Sequence, residues 1–202
     1  EKEWLLQFQG LSKASANPTH NRSDQHPWGR PNPDAHEKLG EFAFMVGVFD
    51  CVSFTPAGVN PFRKDERLET DFRWQAHYVL DGRAIQDEWT TMNSVGTQTR
   101  IVDPETDDWK VRWTSLNLLP QFAAGKPWGG GEFTASRQPD GSMRMVSDHV
   151  RDDGQPYRNV IDFYHITDES YEWRLQVYAN DTPWGPEGRI SCKRVAGPGF
   201  KK

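Results

Sequence analysis

The sequence predicts an all-β protein: a single up-and-down antiparallel β-barrel of roughly ten strands behind an N-terminal polar extension. Three observations predict it. The 202 residues contain 17 Gly and 14 Pro, which divide the chain into short runs, and 12% of them are aromatic, nine being Trp. From Glu41 onward strand-like runs follow one another with turn signals between them. No helical stretch is long enough for a crossover, so adjacent antiparallel strands must close on themselves or stack as two sheets. The length suits one core rather than two full domains.

Residues 1–40 form the extension, rich in Asn, Pro and His, and residues 41–202 the barrel. Asp34 is placed to cap a short helix over Ala35 to Leu39 before Gly40. The extension reads either as a lid or wrapping segment or as an unstructured tail. The strand runs are Glu41 to Phe54, Leu68 to Leu80, Arg83 to Met92, Thr97 to Asp103, Trp109 to Leu118, Glu132 to Arg137, Ser142 to Val150, Tyr157 to Ile166, Tyr171 to Ala179 and Gly188 to Val195. Asp81-Gly82 is the clearest hairpin signal, followed by Pro139-Asp140-Gly141 and Asp152-Asp153-Gly154.

Connections of an up-and-down barrel alternate between its ends. One rim therefore collects Thr55 to Arg67, Asn93 to Gly96, Pro120 to Gly131, Asp152 to Gly154 and Asn180 to Glu187, and the other only short turns. Long connections in a compact domain are usually functional, so the first rim is the expected mouth. Pro127-Trp128-Gly129 and Pro183-Trp184-Gly185 lie on it, and a third copy, Pro27-Trp28-Gly29, lies in the extension. Each Trp reads either as a stiff contact surface for a ligand or as a plug of its loop against the barrel.

The Asp81-Gly82 turn sets a register in which Tyr78 faces Ile85, Ala76 faces Asp87 and Trp74 faces Trp89. Phe72, Trp74, Ala76, Tyr78, Ile85, Asp87 and Trp89 then share one face, with Arg73, Gln75, His77, Gln86, Glu88 and Thr90 on the solvent side. Alternation turns Trp109, Val111, Trp113, Ser115 and Asn117 inward, and likewise Tyr171, Trp173, Leu175 and Val177. The two runs between are mixed. Met143, Met145, Ser147 and His149, and Tyr157, Asn159, Ile161, Phe163 and His165, are assigned inward, and a one-residue slip would invert either set.

Several function classes are disfavoured. A net charge of -5 without a Lys/Arg stripe argues against a nucleic-acid partner, and no apolar run approaches the roughly 18 residues that span a bilayer. Gly125-Lys126 lacks the upstream Gly and the following Ser/Thr of a phosphate loop. None of the six His forms an HxH or HxxxH pair, and no metal or cofactor is expected. Closure brings Cys51 and Cys192 within reach of each other, as free thiols in a reducing compartment or as a disulfide in an exported protein. A cytoplasmic protein is the first expectation and a periplasmic one the alternative if a signal peptide was removed; self-association stays open.

The inward mouth-half residues combine aromatic walls with a few polar groups, as small-molecule pockets do. Trp74, Tyr78, Trp89, Trp113, Asn117, Asn159 and the rim residues Trp128 and Trp184 are candidates for binding a small aromatic or hydrophobic molecule. Asp87, His149 and Tyr157 are candidates for acid-base work, since a carboxyl among indoles is desolvated and His titrates near neutrality. The plainer reading is that Arg83 or a backbone amide holds Asp87 and that His149 belongs to the wall. The expected function is cofactor-independent proton-transfer chemistry, elimination or isomerisation, on an aromatic or phenolic compound. A non-catalytic carrier or sensor of a hydrophobic metabolite is the alternative, and a haem-binding barrel the third.

The stretch WQAHYVLDGRAIQDEW from Trp74 to Trp89, with the acid-rich turn before Trp109, resembles the lipocalin-like, calycin-type barrels of a widespread bacterial family. The resemblance spans about Glu41 to Arg194 in strand order, with Leu80-Asp81-Gly82-Arg83 as its specific signal. It implies an up-and-down calycin barrel with an internal ligand site, on which carriers, lyases, isomerases and cyclases are all built. The long extension and the Pro120 to Gly131 loop depart from short family members. No catalytic motif transfers.

Overall fold

The computed structural model describes residues 19–55, 68–91, 94–118, 128–151 and 153–198. Ten antiparallel strands close into a barrel: β1 (Gly47–Thr55), β2 (Leu68–Val79), β3 (Ala84–Thr90), β4 (Ser94–Asp103), β5 (Asp108–Asn117), β6 (Trp128–Arg137), β7 (Met143–Val150), β8 (Pro156–Tyr164), β9 (Ser170–Ala179) and β11 (Gly188–Ala196). An extra two-residue strand, β10 (Thr182–Pro183), folds back on β9. Each strand from β1 to β9 pairs with the next, β9 also pairs with β11, and β11 with β1, which completes the ring.

Alternation drives the closure. In β7 the inward Met143, Met145 and Ser147 are buried while Asp148 and Val150 face water, and in β5 Trp109 and Val111 are buried beside exposed Arg112. The expected register of β2 on β3 holds: Tyr78 opposes Ile85, Ala76 opposes Asp87 and Trp74 opposes Trp89. The ladder ends at Val79–Ala84, and Leu80, Asp81 and Gly82 all take positive φ in the turn. On the outer wall, Asp162 is 4% exposed between Arg144 and Arg174, which bond its carboxylate from the neighbouring strands at 2.7 and 2.8 Å. Burial pushes that carboxyl up, and the two guanidiniums outweigh it and hold the pKa below the usual range.

Cys51 and Cys192 oppose each other on β1 and β11 and form a disulfide, so the free-thiol expectation gives way to the alternative. The bond joins positions 141 residues apart and fastens the first strand of the barrel to the last.

The segment before β1 differs from expectation. A 3-10 helix runs over Glu37–Met45, where a strand from Glu41 and a helix over Ala35 to Leu39 were expected. The cap is His36, whose side chain accepts from the Lys38 amide, rather than Asp34. Leu39, Phe42 and Met45 recur every third residue, the 3-10 period, and that spacing buries all three at once. Phe42 meets Trp109 edge-on at 5.0 Å and Phe163 at 5.9 Å, Glu41 accepts from Trp109 Nε1 at 2.8 Å, and Arg194 donates to the carbonyls of Phe44 and Val46. The helix is a stopper in the short-turn end of the barrel.

Residues 19–36 strap the same rim. Asp81 at the β2–β3 turn accepts from the His20 amide at 3.0 Å and from Asn32 Nδ2 at 3.1 Å, and the Trp28 carbonyl accepts from the Tyr78 amide. Trp28 packs against the core, so this copy of the tripeptide plugs. His77, on the outward side of β2, is only 9% exposed; burial lowers its pKa and the Arg22 charge adds to the effect. The described part of the extension therefore wraps the closed end instead of lidding the mouth.

Candidate functional site

Inward side chains grade along the barrel axis. Near the stopper Ile85, Val111, Met143, Met145, Phe163 and Tyr171 are at most 1% exposed. Toward the long-loop rim the inward Trp89, Trp113, Ser115, Asn117, His149, Tyr157 and Asn159 are all partly exposed. Side chains that alternation turns inward meet solvent only if solvent enters from that end, so the described strands form a cup. The loops expected over its rim, residues 56–67 and 119–127, lie outside the described residues, as do Met92, Asn93, Asp152, Gly125, Lys126 and Pro127.

The floor of the cup is an ion pair. Asp87 and Arg100 are both fully buried and in contact through Oδ2 and a terminal guanidinium nitrogen, the other terminal nitrogen bonds Gln98 Oε1, and Trp74 Nε1 donates to Asp87 Oδ1 at 2.9 Å. Gln98 opposes Asp87 and Arg100 opposes Ile85, which makes Arg100 the diagonal neighbour of Asp87. Burial pulls the Arg100 pKa down to about 9, with Tyr171 opposing the shift. The guanidinium lies 5.0 Å from the Phe42 ring centre, over the stopper. Asp87 is thus held by Arg100 and Trp74, whereas Arg83 bonds Asp81. Thr97 to Asp103 had no face assigned, and Arg100 was missed for that reason.

Three buried donors have no hydrogen-bond partner among the described residues: Arg100 Nε in the floor, Tyr171 Oη, and Trp113 Nε1, which lies against Gly131 in the wall. Burial raises the Tyr171 pKa, with Arg100 and Arg194 opposing, so the phenol keeps its proton. Buried donors left unpaired are costly and call for an acceptor.

One wall is aromatic. The Trp89 indole lies against Gly96 on the next strand, and the Trp113 indole against Gly131 and Gly129 of β6. Trp74 packs on both Trp89 and Tyr171 at centroid distances of 6.3 and 6.0 Å. Across the barrel, His149 opposes Tyr157 and their rings stack at 4.9 Å, while His149 Nε2 lies 2.8 Å from Ser147 Oγ. No hydrogen bond joins His149 to Asp87: the former's partners are Ser147 and Tyr157, the latter's Arg100 and Trp74.

Asn117 and Asn159 are inward and partly exposed in the mouth half, as expected, while Tyr78 is 7% exposed near the strapped end, below the cup. Trp128 is not in a loop, because β6 begins there. Three successive glycines give no strand signal of their own, yet β5 pairs with them as Trp113–Gly131, Thr114–Gly130 and Ser115–Gly129. Trp128 opposes Leu116 on the outer face, is 69% exposed, and lines a groove of about 440 Å³ that Trp89, Gly96 and Ser115 also border. Trp184 is half exposed at the mouth, with the Arg151 guanidinium 4.9 Å from its ring. His165 falls in the turn after β8 with positive φ and 75% of its side chain exposed, not inside the barrel.

No known protein family matches the chain, and no curated protein resembles it at a significant level. The site is therefore read from its geometry. A cleft of about 1120 Å³ lies away from the cup at the closed rim, lined by Gly40, Arg137, Arg144, Asp162, Tyr164 and Arg174 among others. Its Arg144 and Arg174 already bond Asp162, whereas the cup has buried donors awaiting an acceptor, which makes the cup the better candidate. Among the described residues no group of three His, Cys, Asp or Glu could hold a metal ion.

Proposed function

We propose that the open half of the barrel receives a small planar aromatic molecule bearing a hydrogen-bond acceptor, and that the protein holds or carries it. The observation that carries this reading is the partly exposed indole wall of Trp89 and Trp113, together with two buried donors deeper in the barrel, Arg100 Nε and Tyr171 Oη, that have no hydrogen-bond partner among the described residues. Flat indoles supply stacking area, and the donors supply the polar anchor that fixes orientation. A calycin-type lineage agrees with the barrel and the internal site. The disulfide supports work in an oxidising compartment, where such bonds persist. Calorimetric titration with 2-naphthol should show stoichiometric binding, weakened about tenfold or more by Trp113→Phe and unchanged by Trp128→Ala on the outer face. Equal loss in both variants, or no heat with the parent protein, would remove the reading.

A second reading, proton-transfer catalysis on a phenolic compound, has its own observation: His149, partly exposed in the mouth half, has its Nε2 on the Ser147 hydroxyl and its ring against Tyr157. In this reading His149 moves the proton, Tyr157 and Asn159 orient the substrate, and Asp87 polarises it through Arg100. Elimination or isomerisation of phenolic substrates should then fall about a hundredfold or more in His149→Ala. Turnover that survives the replacement assigns the chemistry elsewhere.

A further inference from the structure

We propose that three glycines, Gly96, Gly129 and Gly131, set the bore of the cup and make it selective for a ligand wider than one ring. The inference rests on the receptor reading above and adds its specificity element. None of the three has a positive φ, so the backbone does not require glycine there. Glycine inside a strand costs stability relative to residues with side chains, and its presence marks a place where something approaches closely.

What approaches is an indole each time. A Cβ on Gly96 would lie 2.0 Å from Trp89 Cζ2 and 2.4 Å from Cε2, so the ring fills the space a side chain would take. A Cβ on Gly131 would lie 2.9 Å from Trp113 Nε1, so the second ring is seated on Gly131, and one on Gly129 would lie 3.4 Å from its Cη2, in ordinary contact with the same ring. Register shows these seats to be successive. Gly96 opposes Trp89 and Ser115, and Trp113 opposes Gln98 and Gly131, so the rings cover neighbouring parts of the wall from β3 to β6. A Trp without such a seat must project toward the barrel axis, where it would take the volume a ligand needs. Seated on glycine, it presents its face and leaves that volume open.

The selectivity follows from displacement. Gly96→Ala cannot coexist with the present position of Trp89, because van der Waals contact needs about 3.5–4.0 Å between carbons. The displaced ring narrows the bore, and a two-ring ligand loses more than a one-ring ligand.

The test is a double-mutant cycle read by calorimetry with 2-naphthol and phenol. Gly96→Ala should weaken 2-naphthol about tenfold or more and phenol by less than about threefold, while in a Trp89→Leu background it should change 2-naphthol affinity less than about twofold. Gly131→Ala with Trp113→Leu repeats the cycle at the second seat, where the contact is milder and a folded variant is secured. Equal losses for both probes, the same loss in the Leu background, or no change at either seat would overturn the proposal while leaving the receptor standing. Failure of the parent protein to bind either probe would overturn both.

Discussion

Arg100→Met is expected to destabilise the fold by about 3–5 kcal/mol, measured by denaturant unfolding at neutral pH, because it strands the Asp87 carboxylate in a fully buried position. The comparison that isolates the cause is the double variant Asp87→Asn/Arg100→Met. Removing both charges removes the stranded one, so much of the lost stability should return, as it does when other buried ion pairs are replaced whole. Trp74 Nε1 would still find an amide oxygen to bond, whereas Gln98 Oε1 loses the Arg100 donor. Additive losses in the double variant would mean that the two charges do not act on each other and that the floor of the cup is held another way.

Losing the seam disulfide is the second large effect. Cys51 and Cys192 close a chain segment of 141 residues, and the loop-entropy estimate for that length is about 5 kcal/mol, the strain-free limit. The double variant Cys51→Ser/Cys192→Ser should lower Tm by about 10–20 °C, at the 2–4 °C per kcal/mol usual for a chain of this size. The seam keeps its β1–β11 hydrogen bonds in the variant, so the loss should appear as easier global unfolding and not as an altered strand register. Identical melting of oxidised and reduced parent protein would show that the bond does not constrain the unfolded chain.

Barrel geometry was legible because its signals are local and repeated. A single turn, Asp81-Gly82, fixed the partners of seven residues on each side, and alternation placed Trp113 inward without any tertiary information, whereas His149 and Asn159 lie in mixed runs whose faces a one-residue slip would have inverted. Counting connections separated the two rims for the same reason, and the short-turn rim is the one that the Glu37–Met45 helix closes. The misses share a different cause. The start of the Glu41 to Phe54 run passes for a strand and the helix expected over Ala35 to Leu39 stops short at Gly40, and only the barrel end that receives Leu39, Phe42 and Met45 decides for one 3-10 helix over Glu37–Met45. Gly129-Gly130-Gly131 carries no pattern at all, because its pairing is supplied by β5. Thr97 to Asp103 has no alternation clear enough to give Arg100 a face until its partner Asp87 on the neighbouring β3 is known. The glycine seats were invisible for the converse reason: what explains Gly96 is an indole on another strand.

These misses change the chemistry. Asp87 drew notice as a lone acid on an apolar face, yet its partner turns it into a neutralised pair that organises the floor. In the proposed reading, the indole wall and the buried donors Arg100 Nε and Tyr171 Oη are then the parts of the cup that serve a ligand.

The most direct measurement is the shift of the indole N–H resonances of uniformly ¹⁵N-labelled protein during titration with 2-naphthol. The account predicts movement at Trp89 and Trp113, with Trp28, Trp109 and Trp128 unmoved because they lie in the strap, beside the stopper and on the outer face. Shifts confined to Trp128 or Trp28, with Trp89 and Trp113 still, would contradict it.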